Sequence, residues 1–366
     1  MPEDKPIENE DLVFHILNVG KGDSIIVEFP VDKKGKRYYG LVDCYNVDKV
    51  RKYFTELRKV RPGKSNFEFI CATHPHFDHV SGINTFLKTK KYQPKQIWDS
   101  GFRHNLLTYQ RILETLSKKE EIKLVRVSSG MEWYFGNVQV TALAPSIYLR
   151  NRYATYGVDV NNASIVLRFE NHKDDLMIMK STEYSGTYGI DVVRDEPKSI
   201  VILAGDAEMD SWSHIVQEFP RLVSASEHKP LVTKMINYLN CSVLKVSHHG
   251  SMHSAPLDVY EIMSPSLAVI SAQQEFSRLV TDEKVLERNL YPHKSCIMAL
   301  EEVGAKIATT EGLYESELDK DGVPINVNWN HPGTIVVVIP PGGEPRWKKL
   351  TDTSKDDDIP DPPKEV

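Results

Sequence analysis

The chain has 366 residues with 40% hydrophobic and 26% charged content, ordinary for a globular protein and ample for a buried core. Its formal net charge is -6, but Met1 to Asp11 holds five acids and one base and Thr351 to Val366 six acids and two bases, so the body between these acidic ends is +2. That excludes the global basic field of a strong duplex binder and leaves nucleic-acid contact to local patches, while no apolar run approaches a membrane span.

In chain order, Leu12 to Val19, Ser24 to Phe29 and Tyr38 to Val42 suggest an opening antiparallel set, and Val47 to Val60 a helix with apolar residues at helical spacing. Phe67, Phe69, Ile70 and Cys71 suggest a strand running into Thr73-His74-Pro75-His76-Phe77-Asp78-His79. Val80, Ile83, Phe86 and Leu87 form the apolar stripe of a helix leaving that run, with Gly82 letting the backbone curl. A helix around Leu106 to Leu116 and strands near Lys123 to Val127 and Val138 to Leu143 follow. Ile200 to Leu203 reads as a buried strand ending in Ala204-Gly205-Asp206. Helices near Met209 to Phe219 and Leu231 to Leu239 lead to a strand, Val243 to Val246, that ends in Ser247-His248-His249-Gly250-Ser251. No repeat is present. Cys44, Cys71, Cys241 and Cys296 lack paired spacing and read as reduced core residues of a cytoplasmic protein without a secretory signal.

Three imidazoles and a carboxylate within six positions, directly after an apolar strand, point to metal, because imidazole nitrogen and carboxylate oxygen are the ligands that Zn²⁺ and its first-row neighbours take. The strand-to-helix turn lets His74 and His76 face one ion while Asp78 and His79 face a second. Two ions suit hydrolysis, since together they acidify water and clamp substrate oxygens. A turn of four ligands closes neither site alone, and the strand ends at Asp206 and at His248-His249 are where the remainder can come from.

These motifs resemble the metallo-β-lactamase superfamily, and most closely the branch of the ComEC hydrolase domain and the bacterial phosphorylcholine esterases. Asn18-Val19-Gly20-Lys21-Gly22-Asp23-Ser24, Leu41-Val42-Asp43, Asn161 to Leu167, Ala268 to Ser271, Tyr291-Pro292-His293 and Gly304 to Thr310 fit that branch in order, so the likeness spans about residues 12 to 338. The resemblance implies an α/β fold, a four-layer αβ/βα sandwich with two mixed β-sheets, in one hydrolase domain over 12–350. An acidic N-terminal stretch, an insertion at about 171–197 and a disordered acidic tail from 351 complete the expected organisation. It implies two divalent ions, Zn²⁺ or Mn²⁺: His74 and His76 on the first, Asp78 and His79 on the second, Asp206 bridging, and Asp78 holding the attacking hydroxide in line. One of His248 and His249 completes the second site while the other faces substrate. The sequence leaves that choice open, and the working assignment takes His248 as ligand and His249 as catalytic. Where most members carry a further His this chain has Asn161 and Asn162, which suits a harder ion such as Mn²⁺.

Tyr148-Leu149-Arg150-Asn151-Arg152-Tyr153 mixes cations with aromatic rings, and Arg103, His104, Lys245 and His253 lie near the presumed site loops. Arginine forks suit phosphate oxygens and tyrosine rings stack on bases, although ordinary surface Arg and half-buried Tyr account for the stretch equally well. Asn161, Lys245, Ser251 and His253 are the candidate substrate-binding residues. The favoured reading is a phosphodiesterase, foremost a nuclease, with nucleic acid or another phosphodiester as substrate and no membrane partner. The alternatives are a carbonyl hydrolase acting on a lactam, lactone or thioester, and a non-catalytic protein partner in a DNA-handling or defence system.

Overall fold

The computed structural model describes residues 5–156, 159–173, 199–219, 237–272, 291–310, 314–318, 324–329 and 332–351, with side chains of 152–156, 314–318, 324–329 and 351 left aside. The first sheet joins β1 (Leu12–Ile16), β2 (Ile25–Glu28), β3 (Tyr39–Val42), β4 (Phe69–Ala72), β5 (Gln96–Asp99), β6 (Lys123–Arg126), β16 (Gly333–Ile339) and β17 (Arg346–Thr351) in the order β17-β16-β1-β2-β3-β4-β5-β6. The second joins β7 (Glu132–Phe135), β8 (Val138–Ala144), β9 (Val166–Asn171), β10 (Ile200–Leu203), β11 (Val243–Lys245), β12 (Leu267–Ile270) and β13 (Lys306–Thr309) in the order β13-β12-β11-β10-β9-β8-β7. A separate hairpin pairs β14 (Tyr314–Leu318) with β15 (Pro324–Trp329).

Both sheets change direction half-way. Pairing is antiparallel from β17 through β3 and parallel from β3 through β6, and in the second sheet antiparallel from β7 through β10 and parallel from β10 through β13. Strand alternation explains how the layers assemble. Leu12, Phe14 and Ile16 of β1 and Ile335, Val337 and Ile339 of β16 share one core with Val140, Leu167, Phe169, Val201 and Val243 of the other sheet. The alternate residues Val13, Ile26, Leu41, Ile70 and Val336 pack instead on α1 (Val47–Val60), α3 (Ile83–Lys88) and α4 (Leu107–Leu116). Ile202, Leu244 and Ala268 turn the opposite way, onto α6 (Met209–Glu218), α7 (Leu257–Met263) and α8 (Lys294–Glu302). Each central strand is thus buried on both faces, which is why it reads as a continuous apolar run rather than an alternating one. The fold is the expected four-layer αβ/βα sandwich.

Most predicted elements sit where periodicity puts them, α1 to the residue. The helix after the His run is two short pieces, α2 (Phe77–Val80) and α3, divided at Ser81 and Gly82. Gly82 has ordinary helical dihedrals (φ -86°, ψ -17°), so it does not serve to curl the chain. A Cβ there would lie 2.5 Å from the Cys44 Sγ, and close packing of the turn on β3 is what demands glycine. The stretch read as a phosphate patch is helical, α5 (Ile147–Tyr156). The proposed insertion at 171–197, most of the helix proposed at 231–239 and the acidic tail lie largely outside the described residues. Among the described residues, no helix is long and apolar enough to cross a membrane.

A charged cluster lies under the helical face of the first sheet. Glu28, fully buried, meets Arg61 Nε, Arg37 Nε at 3.2 Å and His15 Nε2 at 3.4 Å, and the His15 Nδ1 contacts the Tyr53 hydroxyl at 2.9 Å. Burial pushes the Glu28 carboxyl up, but the His15 hydrogen bond and the charges of Arg61 and Arg37 outweigh it and hold the group below its ordinary 4.5. Its stabilisation is therefore present above the unfolded value and is lost as pH falls through the lower folded one. Glu28→Gln should cost about 3–5 kcal/mol at neutral pH. Denaturant unfolding of both proteins across pH 3 to 7 should show that difference shrinking in acid; a constant difference would refute the linkage.

Candidate metal centre

The parallel halves bring four C-terminal strand ends to one edge of the sandwich: β3 at Asp43, β4 at the His74 turn, β10 at Asp206 and β11 at His248-His249. Asp43 has φ +57°, a left-handed conformation that turns its carboxylate back across the end of β4. There it accepts from the Thr73 amide at 2.8 Å and the Thr73 hydroxyl at 2.7 Å, and its Oδ2 lies 2.7 Å from His79 Nδ1. With Nδ1 so held, the buried His79 ring directs Nε2 at Asp206 Oδ2, 3.2 Å away on the other sheet. Burial opposes charge on His79, but Asp206 and Asp43 overcome it and raise its pKa well above the ordinary value. Burial likewise pushes Asp206 up, and His79 and His249 reverse that and hold it well below the usual carboxylate range. Between these carboxylates, a proton on His79 occupies a place suited to a cation.

Asp206 follows Gly205, whose φ of +51° and whose contacts, with a Cβ 3.1 Å from the Thr73 Cβ and 3.2 Å from the Ser164 Cβ, both require glycine. Ser164 Oγ accepts from the Asp206 amide at 3.0 Å. The Asp206 oxygens then divide: Oδ2 faces His79 and, at 3.8 Å, His74 Nε2, while Oδ1 faces His249 Nε2 at 3.8 Å. His249 Nε2 is also 3.8 Å from Asp78 Oδ2. His74, His79 and Asp206 form one group of ligand atoms all within 4.8 Å of one another, and Asp78, His79 and His249 form another.

The residues fit a metal. His74 Nε2, His249 Nε2 and Asp206 Oδ1 are buried atoms without hydrogen-bond partners, an arrangement that is costly unless something electropositive lies among them. Ligands about 2.1 Å from a tetrahedral ion stand roughly 3.4 Å apart, close to these spacings. The back of each ring is anchored as metal-bound imidazoles are, His79 by Asp43 and His249 by donation of Nδ1–H to the Ser271 carbonyl at 2.9 Å.

Several sequence assignments change. His249, not His248, carries the nitrogen aimed between Asp78 and Asp206. His248 turns the other way, its Nδ1 2.8 Å from Glu208 Oε1 and its ring 5.6 Å from that of Tyr291. The cause is local: His248 (φ +45°), His249 (φ +51°) and Gly250 (φ +76°) form a left-handed turn that throws the adjacent rings apart. His76 lies outside both ligand groups, its ring 4.7 Å from that of His74 and 5.8 Å from that of His104.

The substrate candidates scatter. Asn161 donates to Glu208 Oε1 at 3.1 Å and keeps a buried, unpartnered Oδ1, whereas Asn162 caps α6 by accepting from the Ser211 amide. Lys245 is 1% exposed and its ammonium lies 2.6 Å from Asp23 Oδ2, so it faces inward rather than toward substrate. Ser251 accepts from the His253 amide at 3.2 Å as a turn residue, and His253 is exposed. Arg150 donates to the Val127 carbonyl and packs under Gly101, which removes it from a phosphate patch. Sequence reasoning missed Asp43, Asp23 and Glu208 as site residues. Asp23 and Asp43 lie within recognised motifs and Glu208 follows the Asp206 strand end, but only folding shows which acids turn inward.

No protein-family model matches the chain, and no curated protein matches it. Among solved structures it is similar to the metallo-β-lactamase fold protein YhfI from Bacillus subtilis, with 11% identity over 82% of this chain and 96% of that one and a TM-score of 0.43. It is also similar to a long form RNase Z from yeast (12% identity, 78% of this chain, 40% of that one, TM-score 0.36). A diphosphatase from the PhnP family gives 11% identity over 71% of this chain and 85% of that one, with a TM-score of 0.33. At such values the fold rests on the strand order and core, and the chemistry on the cluster itself.

Two variants check this architecture. Asp43→Asn should weaken metal binding about 10–100-fold while leaving the far-ultraviolet circular dichroism unchanged, measured by competition with a chromogenic chelator. Lys245→Met should cost about 3–5 kcal/mol by stranding Asp23 in the interior, and adding Asp23→Asn should recover most of that in denaturant unfolding.

Proposed function

We propose that the chain is a metal-dependent phosphodiesterase of the metallo-β-lactamase kind, acting on nucleic acid. One observation carries the reading: five side chains from strand ends on two sheets, His74, Asp78, His79, Asp206 and His249, converge, and the inward atoms of His74, His249 and Asp206 are buried without hydrogen-bond partners. Two divalent ions, Zn²⁺ or Mn²⁺, would fit that donor set, held by these five residues. When bound, such a pair supplies a nucleophile drawn from water near neutral pH and positive charge for substrate oxygens.

The protein's residues provide the rest. Asp43 and the Ser271 carbonyl fix the His79 and His249 rings, so the site is organised before substrate arrives. The Asp78 side chain, 38% exposed, stands on the open side where it can orient water and accept a proton. His248 directs its Nδ1 at Glu208 Oε1, 2.8 Å away; burial opposes its charge, but the Glu208 hydrogen bond and Asp206 outweigh it and raise its pKa. His104 flanks His76 and His253 is exposed, so with His248 and Glu208 the rim is polar rather than an apolar slot. That rim supports an anionic phosphodiester over a neutral carbonyl substrate. The four buried free thiols support a reducing, cytoplasmic setting.

The test is a substrate panel: protein loaded with Mn²⁺, Zn²⁺ or Mg²⁺ against single- and double-stranded DNA, RNA, bis-p-nitrophenyl phosphate and a chromogenic lactam. Phosphodiester cleavage is expected, and it should be lost in Asp206→Ala and His249→Ala with the fold retained by circular dichroism. Cleavage of the lactam alone would overturn the phosphodiester reading, and undiminished activity in either variant would overturn the site.

A further inference from the structure

A cleft of about 600 Å³ opens beside the metal turn, and no part of the hydrolytic chemistry above uses it. Its walls come from the loop after β1 (Asn18), the start of α1 (Tyr45, Asn46, Lys49) and the metal turn (Phe77, Gly82). Phe77 stands between His76 and Asp78 in the chain and is 55% exposed, although a phenyl ring of that size is usually buried. Tyr45 meets it edge-on with ring centres 6.2 Å apart. Lys49 reaches across the cleft to the Asn18 carbonyl at 3.4 Å. No carboxylate is among the lining residues.

The wall is continuous with the metal turn. A Cβ at Gly22 would lie 2.2 Å from the Asp78 carbonyl oxygen and 2.4 Å from the Tyr45 ring, so the loop after β1 packs directly on the segment bearing Asp78. Phe77 directly precedes Asp78, so the cleft and the candidate centre share one turn of the chain. Exposed aromatic surface, a nearby cation and no acid match a planar heteroaromatic ring joined to an anionic backbone. The volume accommodates a nucleotide-sized ligand.

We infer that this cleft is a subsite for a nucleobase adjoining the scissile phosphodiester, with Phe77 as its stacking surface and Lys49 facing the neighbouring backbone. The inference rests on the phosphodiesterase reading and narrows it to nucleotide substrates. It requires specificity to come from stacking, so the preference for a base should be broad rather than confined to one sequence.

Paired esters test it: the p-nitrophenyl esters of thymidine 5′-monophosphate and deoxyadenosine 5′-monophosphate against methyl p-nitrophenyl phosphate, which has the same scissile bond and no base. At least one nucleoside ester should be favoured about tenfold or more in kcat/KM, as expected for one stacked base. Phe77→Ala should bring the ratio close to one, and Phe77→Trp should preserve it. Independently of turnover, isothermal titration of the metal-loaded protein should show the two nucleoside monophosphates binding more tightly than inorganic phosphate by a similar factor, again lost in Phe77→Ala. Equal hydrolysis of all esters together with equal binding of phosphate and both nucleotides overturns the subsite and leaves the phosphodiesterase reading standing. Failure to cleave any ester overturns that reading, and the titration then decides the cleft alone.

Discussion

His79 is held at both ring nitrogens by buried carboxylates from different sheets, Asp43 at the end of β3 and Asp206 at the end of β10. Both acids are buried and a neutral imidazole has one N–H to donate, so the cluster favours positive charge. A proton on His79 meets that requirement in part and a divalent cation more fully. His74 and His249 stand around the same Asp206 carboxylate with no other partner for their inward nitrogens. This shared deficit of positive charge organises the edge of the molecule.

The same edge concentrates backbone conformations that side chains other than glycine seldom adopt. Asp43, His248 and His249 have positive φ, as do Gly205 and Gly250, and all five lie just past the ends of parallel strands. Such conformations persist where the surroundings hold them in place. At Asp43 the hold is the pair of Thr73 hydrogen bonds, and at His249 the Ser271 carbonyl. Turning the chain sharply at a strand end is what allows consecutive residues to serve different ends, with His249 facing inward and His248 toward the rim.

The two sheets are also tied beneath the site. Lys245 on β11 reaches Asp23, in the loop before β2, and the Asp23 amide donates to the Asp78 carbonyl. The residue behind the His-bearing strand end and the residue behind the Asp78 turn are thereby one linked unit. A buried ion pair of this kind gains little over apolar packing, but losing one partner is costly, so it restricts where the two halves can sit relative to one another. That restriction matters here because ligand groups from separate sheets must meet within a few tenths of an ångström.

Much of this was legible without coordinates. Apolar runs ending in His or Asp marked the strand ends at His74, Asp206 and His249, and helical spacing located α1, because hydrophobic periodicity and local ligand density are properties of contiguous residues. What the chain order could not express was direction and distance. Asp43 and Asp23 stand in recognised motifs but show no role, and Glu208 looks like an ordinary loop acid, until folding turns them inward; Lys245 resembles a substrate cation until Asp23 claims it, and Gly82 resembles a hinge until Cys44 fills the space beside it. The choice between His248 and His249 lay in a left-handed turn whose residues meet Gly205, Glu208 and Ser271, distant in the chain. Local composition determined which kinds of atom gather at the strand ends; only tertiary packing decided which of them face one another, because burial and charge pairing depend on neighbours in space.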